Sequence, residues 1–261
     1  MLRRATPEAL NQFITSVGGV EALLWTVLEA AEFVNILTAF DGEWDDRALR
    51  NKIKLALDGP VDLLSETHAN NCARNTLFEL TFALMLKLRG ISADLHSDCD
   101  LRFSLQDLDC LVQAKRPYSE SAAGRNLLKA ASQLTRNLSQ PEFSRFAGII
   151  VISTVRSVIV DRCALDSTHL SHSYHGVDGA ITRFQAKLQQ QVRTAWSRHP
   201  RIIAVVFLLN APVVIDGAFV RCASFSQIAP RPGLDSRTRT RLQQLRVLGQ
   251  DPARIASGEV Q

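Results

Sequence analysis

One stretch of the sequence decides the fold, because it joins a buried helix to two strands. It runs from Phe78 to Pro117 and reads FELTFALMLKLRGISADLHSDCDLRFSLQDLDCLVQAKRP. Residues 76–88 are almost all apolar or small, which predicts a helix buried on more than one side. Glu79 stands in this helix with no basic residue three or four positions away to pair with it. Burying such a carboxylate lowers the stability of the fold unless a group elsewhere compensates its charge.

Two strands are predicted after the helix, which Gly90 is expected to end. Apolar and polar residues alternate over 100–105, as they do in a half-buried strand. In the next run, 108–115, the even-numbered residues share one face and the odd-numbered ones the other. Gln113 and Lys115 therefore lie on the same face of the second strand.

The turn between these strands sets which polar residues meet. A two-residue hairpin turn at Gln106-Asp107 places Asp100 opposite Gln113 and Asp98 opposite Lys115, on one face of the sheet. A loop of odd length would shift this register by one residue. With a two-residue turn, these carboxylates, the Gln113 amide and the Lys115 ammonium lie close together at the open end of the hairpin. The central hypothesis is that Glu79, Asp100, Gln113 and Lys115 form one metal-dependent hydrolytic site.

The order of these residues resembles a known superfamily. A helix with Glu79, then Asp100, then a strand ending in Gln113-x-Lys115, then a helix and another strand resembles the PD-(D/E)XK nucleases. Residues 111–116 are similar to the Gln-x-Lys variant of Mrr-type restriction endonucleases, and the resemblance covers roughly 73–160. No Pro precedes Asp100, and the Asp-x-Gly-x-Asp pattern common in Mrr-type proteins is absent. Either Asp98 or Asp100 thus supplies the second acidic position.

The resemblance implies a fold, an activity and a role for each residue. The fold is α/β, a restriction-endonuclease-like αβββαβ core with a mixed central sheet. The activity is that of a metal-dependent endonuclease that hydrolyses DNA. Glu79 and Asp100 are expected to bind Mg²⁺, for which Mn²⁺ can substitute, while Gln113 replaces the usual acidic ligand. Lys115 is expected to be the catalytic lysine that orients or activates water.

The residue types suit this chemistry even without the resemblance. Phosphodiester hydrolysis requires charge neutralisation at the phosphate and a more nucleophilic water, and a bound metal provides both. Mg²⁺ prefers few carboxylates and retains several waters, so two carboxylates with the Gln113 amide oxygen and the Ala114 carbonyl suffice. Because Gln113 is neutral, metal binding is expected to be weaker than in a three-carboxylate site. The alternatives are a catalytically weak or inactive module of the same fold that binds DNA or a protein, and a nuclease acting on RNA or branched DNA.

Basic residues predict where a nucleic acid would lie. On the helix predicted from 125 to 138, one stripe consists of Arg125, Lys129, Gln133 and Arg136. In the resembled superfamily this helix lies beside the active site. The stripe, together with Arg116, is therefore a candidate for contacts to the phosphate backbone. A solvated basic face is the alternative.

Turn and periodicity signals divide the chain into three parts: 1–70 as a helical N-terminal subdomain, 71–228 as the nuclease-like core and 229–261 as a basic C-terminal tail. The N-terminal helices suit a target-reading module, a dimerisation element or a cap on the core. The tail, with Arg231, Arg237, Arg239, Arg241 and Arg246, suits a backbone-binding arm or helix, or a solvated segment.

The remaining elements are predicted from apolar runs and periodicity. A continuous apolar run at 148–153 predicts a central buried strand. The other predicted elements are helices at 20–40, 45–57 and 180–198, a strand at 202–209 and a hairpin formed by 213–215 and 219–223. His169, His172 and His175 recur every third residue, but Ser, Tyr and Gly among them predict a loop that faces nucleic acid or solvent rather than a metal site.

The composition limits the classes of protein to which the chain can belong. The chain has 261 residues, 46% of them hydrophobic, and a formal net charge of +4, which is compatible with a polyanionic partner. Its five cysteines are odd in number and form no C-x-x-C pair, so a reducing cytoplasm is expected. The apolar run at 20–40 contains Glu21, Glu29 and Glu32, which argues against a membrane. A homodimer is expected if both strands of DNA are cut.

Overall fold

The fold is a mixed β-sheet with helices on both faces. A computed structural model describes residues 12, 15, 20–58, 72–95, 99–155, 165–167, 170–215 and 219–246. Seven helices in these ranges are α1 (Val20–Ala39), α2 (Arg47–Leu57), α3 (Cys72–Lys87), α4 (Glu120–Leu138), α5 (Leu170–Lys187), α6 (Gln189–Arg198) and α7 (Ser236–Arg246). The strands there are β1 (Ala93–Leu95), β2 (Leu101–Leu105), β3 (Leu108–Lys115), β4 (Ala147–Ser153), β5 (Leu165–Ser167), β6 (Ile202–Ile215) and β7 (Phe219–Pro230).

The sheet is antiparallel on one side and parallel in the middle. Its order is β1-β2-β3-β4-β6-β5, and β7 also pairs with β6. β1, β2 and β3 form an antiparallel meander, whereas β4 lies parallel to both β3 and β6. The last part of β6 pairs with β5, and nearly all of β6 forms an antiparallel hairpin with β7. The predicted α/β class with a mixed central sheet is confirmed.

Side-chain alternation along the strands divides the core into two layers. Cys110, Val112 and Ala114 of β3 lie in one apolar cluster with residues of α1, α2, α3 and α7, whereas Leu111 lies in a second cluster with residues of α4, α5 and α6. All seven residues of β4 are buried, as predicted for a central strand between two layers of helices. Leu242 of α7 also lies in the first cluster, so this C-terminal helix is part of the core.

The hairpin register that positions the candidate site agrees with the prediction. Leu105 pairs with Leu108 and Leu101 with Val112, which puts the turn at Gln106-Asp107. Gln106 adopts a φ of 58°, a left-handed conformation that lets a turn without glycine close. The turn therefore has the predicted two residues, and Gln113 and Lys115 lie on one face of β3.

Several boundaries differ from the predictions. α4 begins at Glu120 rather than at the predicted residue 125, because Ser119 caps the helix and accepts a hydrogen bond from the Ala122 N–H. The predicted helix at 180–198 is two helices that meet at Leu188. Residues 170–178 also belong to α5, so the loop predicted around the histidines is wrong there: His172 and His175 lie on a helix, and His169 is outside the described residues.

Gly148 lets β4 approach α4 closely. A Cβ at this position would lie 2.9 Å from Leu138 Cδ1 and 3.3 Å from Leu134 Cδ1. We expect Gly148→Ala to lower the free energy of unfolding by about 1–3 kcal/mol, because both leucines are buried and have little room to move. Urea denaturation measures the change. Gly179→Ala in α5 is the control: its nearest contact is ordinary, so it is expected to be neutral or stabilising. Equal effects of the two substitutions would contradict the prediction.

Candidate active site

The candidate site lies where β2 begins and β3 ends. Asp100 immediately precedes β2, and its backbone N–H donates to the Val112 carbonyl of β3 at 3.1 Å. The Asp100 carboxylate reaches across the hairpin and accepts a hydrogen bond from the Ala114 N–H at 2.7 Å. Asp100 is thereby held against the last residues of β3, as the predicted site requires. Asp98, the alternative acidic residue, is outside the described residues.

Lys115 links the two other predicted residues of the hairpin. Its ammonium Nζ lies 2.9 Å from Gln113 Oε1 and 3.2 Å from Asp100 Oδ2. Gln113 is 2% exposed, and the Lys115 side chain is 13% exposed. The two oxygens therefore fix the ammonium group at the mouth of the site, near solvent but not free in it.

Glu79 joins this group from α3, but it is not unpartnered as its own helix suggests. The Lys52 ammonium of α2 donates to Glu79 Oε2. Burial and the nearby Asp100 carboxylate raise the pKa of Glu79, whereas the charges of Lys52 and Lys115 lower it. Glu79 therefore lies close enough to Asp100 and Lys115 for their charges to act on its carboxyl group.

Lys52 is the residue of this site that sequence reasoning missed. It lies 27 positions before Glu79, on a separate helix. Leu49 and Ile53, which flank it on α2, are buried in the same cluster as α3, and this packing brings the lysine to the carboxylate. The high cost of an unpaired buried carboxylate was the signal that a partner existed. Nothing local in the sequence indicates which lysine it is.

The oxygen donors of the site are of the kind that Mg²⁺ prefers. Glu79 and Asp100 each use one carboxylate oxygen in the hydrogen bonds above, and within the described residues the other oxygen of each accepts none. Gln113 Oε1 adds a neutral oxygen. Two neighbouring carboxylates repel each other, and a divalent cation bound between them relieves this repulsion. The donor set therefore fits the predicted ion. Over the described ranges no three His, Cys, Asp or Glu residues group into a metal-binding cluster.

Arg116 does not lie on an accessible surface where it could contact nucleic acid. It follows Lys115 and so points to the opposite face of the sheet, where it is only 8% exposed. Its backbone N–H donates to Asn75 Oδ1, and its charge acts on Glu32 of α1. The expected phosphate contact is thus replaced by an interior electrostatic interaction. Glu32 and Arg116 line a small cavity of about 30 Å³ together with Glu29, Arg74, Thr81, Ser153 and Asn210.

The remaining residues of the basic stripe lie on α4. Arg125, Lys129 and Arg136 are exposed, whereas Gln133 is half-buried. Neighbouring Ser132 and the Leu128 carbonyl on the same helix accept hydrogen bonds from Arg198 of α6. The structure therefore brings three of the predicted cations to one accessible helix face and places Gln133 at its margin.

Much of the C-terminal positive charge has structural partners. Arg231 Nη1 donates to the carbonyls of Trp196, His199 and Pro200 at 2.8–2.9 Å. Arg237 and Arg241 both bind the Asp107 carboxylate in the β2–β3 turn. The two contacts with Asp107 fasten α7 to the hairpin that carries the candidate site.

Comparison of the chain with models of protein families, with curated proteins and with solved structures finds no match in any of the three. Among the helices of the described part, none combines the length and the apolar character needed to cross a bilayer.

The partly buried Glu32 makes a testable contribution to pH-dependent stability. Burial raises its pKa from 4.5 to about 7, although the Arg116 charge and the Asn210 hydrogen bond lower it. The folded protein therefore holds this proton more strongly than the unfolded chain does. The free energy of unfolding should fall as pH rises from about 4.5 to 7, by on the order of 3 kcal/mol from this group.

Urea denaturation across this pH range measures the effect. Glu32→Gln should flatten the decline and stabilise the protein above pH 7, because a neutral amide replaces the buried charge. Glu142→Gln, which changes an exposed carboxylate, is the matched control and should leave the slope unchanged. An unchanged slope in Glu32→Gln would show that this carboxyl does not resist ionisation in the folded state.

Proposed function

We propose that this protein is a metal-dependent nuclease that hydrolyses DNA phosphodiester bonds, as an endonuclease. The observation that carries the proposal is the contact of Lys115 with both Asp100 and Gln113, beside Glu79. These residue types recur in this order in the PD-(D/E)XK nucleases that the sequence resembles. The element order α3-β1-β2-β3-α4-β4 is compatible with the αβββαβ order that the resemblance implies, which supports the proposal.

Glu79, Asp100 and Gln113 would hold Mg²⁺ or Mn²⁺, which when bound neutralises charge at the phosphate and makes water more nucleophilic. The protein's own contribution is positioning. Asp100 is fixed by the Ala114 N–H, and its orientation therefore depends on the backbone of β3. Lys115, held by two oxygens, donates its one remaining hydrogen toward a phosphate oxygen or a water beside it. Cutting of both DNA strands would involve a homodimer.

Lys115→Ala is the direct test of the active site. We expect metal-dependent nicking of supercoiled plasmid to fall by at least about 100-fold, because a positioned charge at the phosphate is lost. Cleavage is followed over time with Mg²⁺, Mn²⁺ or EDTA. Lys115→Met retains most of the aliphatic stem and guards against a folding defect, and the exposed Lys54→Ala of α2 is the control. Equal cleavage by wild type and both Lys115 variants would assign the activity to another site.

The stripe on α4 is proposed to contact the DNA backbone. Arg125, Lys129 and Arg136 are exposed and form no ion pair with the residues that the structure describes. Substituting any one by Ala should weaken DNA binding regardless of sequence and reduce the slope of log K against log salt by about 1. Fluorescence anisotropy at several salt concentrations measures this slope. Arg47→Ala, an exposed cation on α2, is the control. An unchanged slope in all three variants would argue for a merely solvated face.

A second candidate function is a binding module of the same fold without catalysis. The charge balance of the site favours it: Lys52 and Lys115 already neutralise Glu79 and Asp100, and Gln113 is neutral. Such a protein would bind duplex DNA equally in Mg²⁺ and EDTA and would never nick it. The plasmid assay above, run beside the binding measurement, separates the two functions.

A further inference from the structure

Lys52 forms a contact in the candidate site that the resemblance does not account for. Its ammonium group is bound to Glu79, and within the described residues this carboxylate is its hydrogen-bond partner. The side chains of Lys52 and Glu79 are only 17% and 11% exposed. A pair shielded in this way is worth more than an exposed ion pair, so its rupture has a measurable cost.

The helix that carries Lys52 is firmly fixed. Asp46 caps its start by accepting hydrogen bonds from the Ala48 and Leu49 N–H groups. Leu49, Ile53 and Ala56 are buried against α3 and the sheet. Movement of Lys52 toward or away from Glu79 thus involves the lysine side chain rather than α2. This side chain is partly exposed, so the ammonium can leave the carboxylate for solvent.

We propose that Lys52 is a built-in counter-ion that pairs with Glu79 when no metal is bound and with which a divalent metal ion must compete. The inference rests on the proposed function, because it takes Glu79 as a metal ligand. Lysine and metal compete for the same carboxylate, so each weakens the binding of the other. α2, in the helical N-terminal part of the chain, thereby sets the metal concentration at which the site fills. This gives that part a role in regulating the site.

The competition predicts opposite effects on metal binding and on metal-free stability. Lys52→Met preserves the aliphatic stem but removes the competing charge, so Mn²⁺ should bind on the order of tenfold more tightly. Without metal, the same variant should melt at a lower temperature, since Glu79 loses its partner. Added Mn²⁺ should then raise its melting temperature by more than that of wild type.

Mn²⁺ binding is measured directly by calorimetry and by the electron paramagnetic resonance of free Mn²⁺, on the full chain without DNA. Lys54→Met makes the same charge change on the exposed side of α2 and should bind Mn²⁺ as wild type does. Lys52→Arg retains the charge and should not show the gain. The double variant Lys52→Met/Glu79→Gln should not show the tighter Mn²⁺ binding, because it lacks the carboxylate for which Lys52 and the metal compete.

Equal or weaker Mn²⁺ binding by Lys52→Met overturns the inference. If plasmid cleavage nevertheless depends on metal and on Lys115, the proposed nuclease function stands alone. If neither wild type nor Lys52→Met binds Mn²⁺, both the inference about Lys52 and the proposed nuclease function are overturned. Tighter binding in Lys52→Met and in Lys54→Met to the same extent would reflect net charge and would also overturn the specific role of Lys52.

Discussion

The pairing of β2 with β3 is the constraint on which the candidate site depends. With Leu101 opposite Val112, the carboxylate of Asp100 reaches the Ala114 N–H and the Lys115 ammonium. A slip of one residue would turn Gln113 and Lys115 to the other face of the sheet and put Val112 and Ala114 in their place. The register is protected because that slip would also turn Gln113 and Lys115 into the apolar cluster under α3.

Charges buried near this hairpin are balanced by the helices that precede it. Lys52 of α2 pairs with Glu79, Arg74 of α3 pairs with Glu29 of α1, and Arg116 acts on Glu32 of α1. Each of these interactions joins one of the first two helices to α3 or to the end of β3. The N-terminal helices therefore contribute to the electrostatics of the candidate site as well as to the core.

The basic residues of the chain serve two different purposes. Arg231, Arg237 and Arg241 are bound to carbonyl groups or to Asp107, and they fix the C-terminal segment to the fold. Arg125, Lys129 and Arg136 remain on an accessible face of α4. A net charge of +4 does not distinguish these groups, since only spatial partners show which cations are available to a polyanion.

The sequence by itself determined the buried helix α3, the strands β2, β3 and β4, and the grouping of Asp100, Gln113 and Lys115 on one hairpin. These features depend on local periodicity and on a turn between neighbouring strands, which nearby residues specify. Only the tertiary structure decided that Lys52 pairs with Glu79, that Arg116 points into the interior and that α7 docks on the hairpin. These contacts join residues far apart in the chain, and their identity follows from packing between helices and sheet rather than from any local pattern.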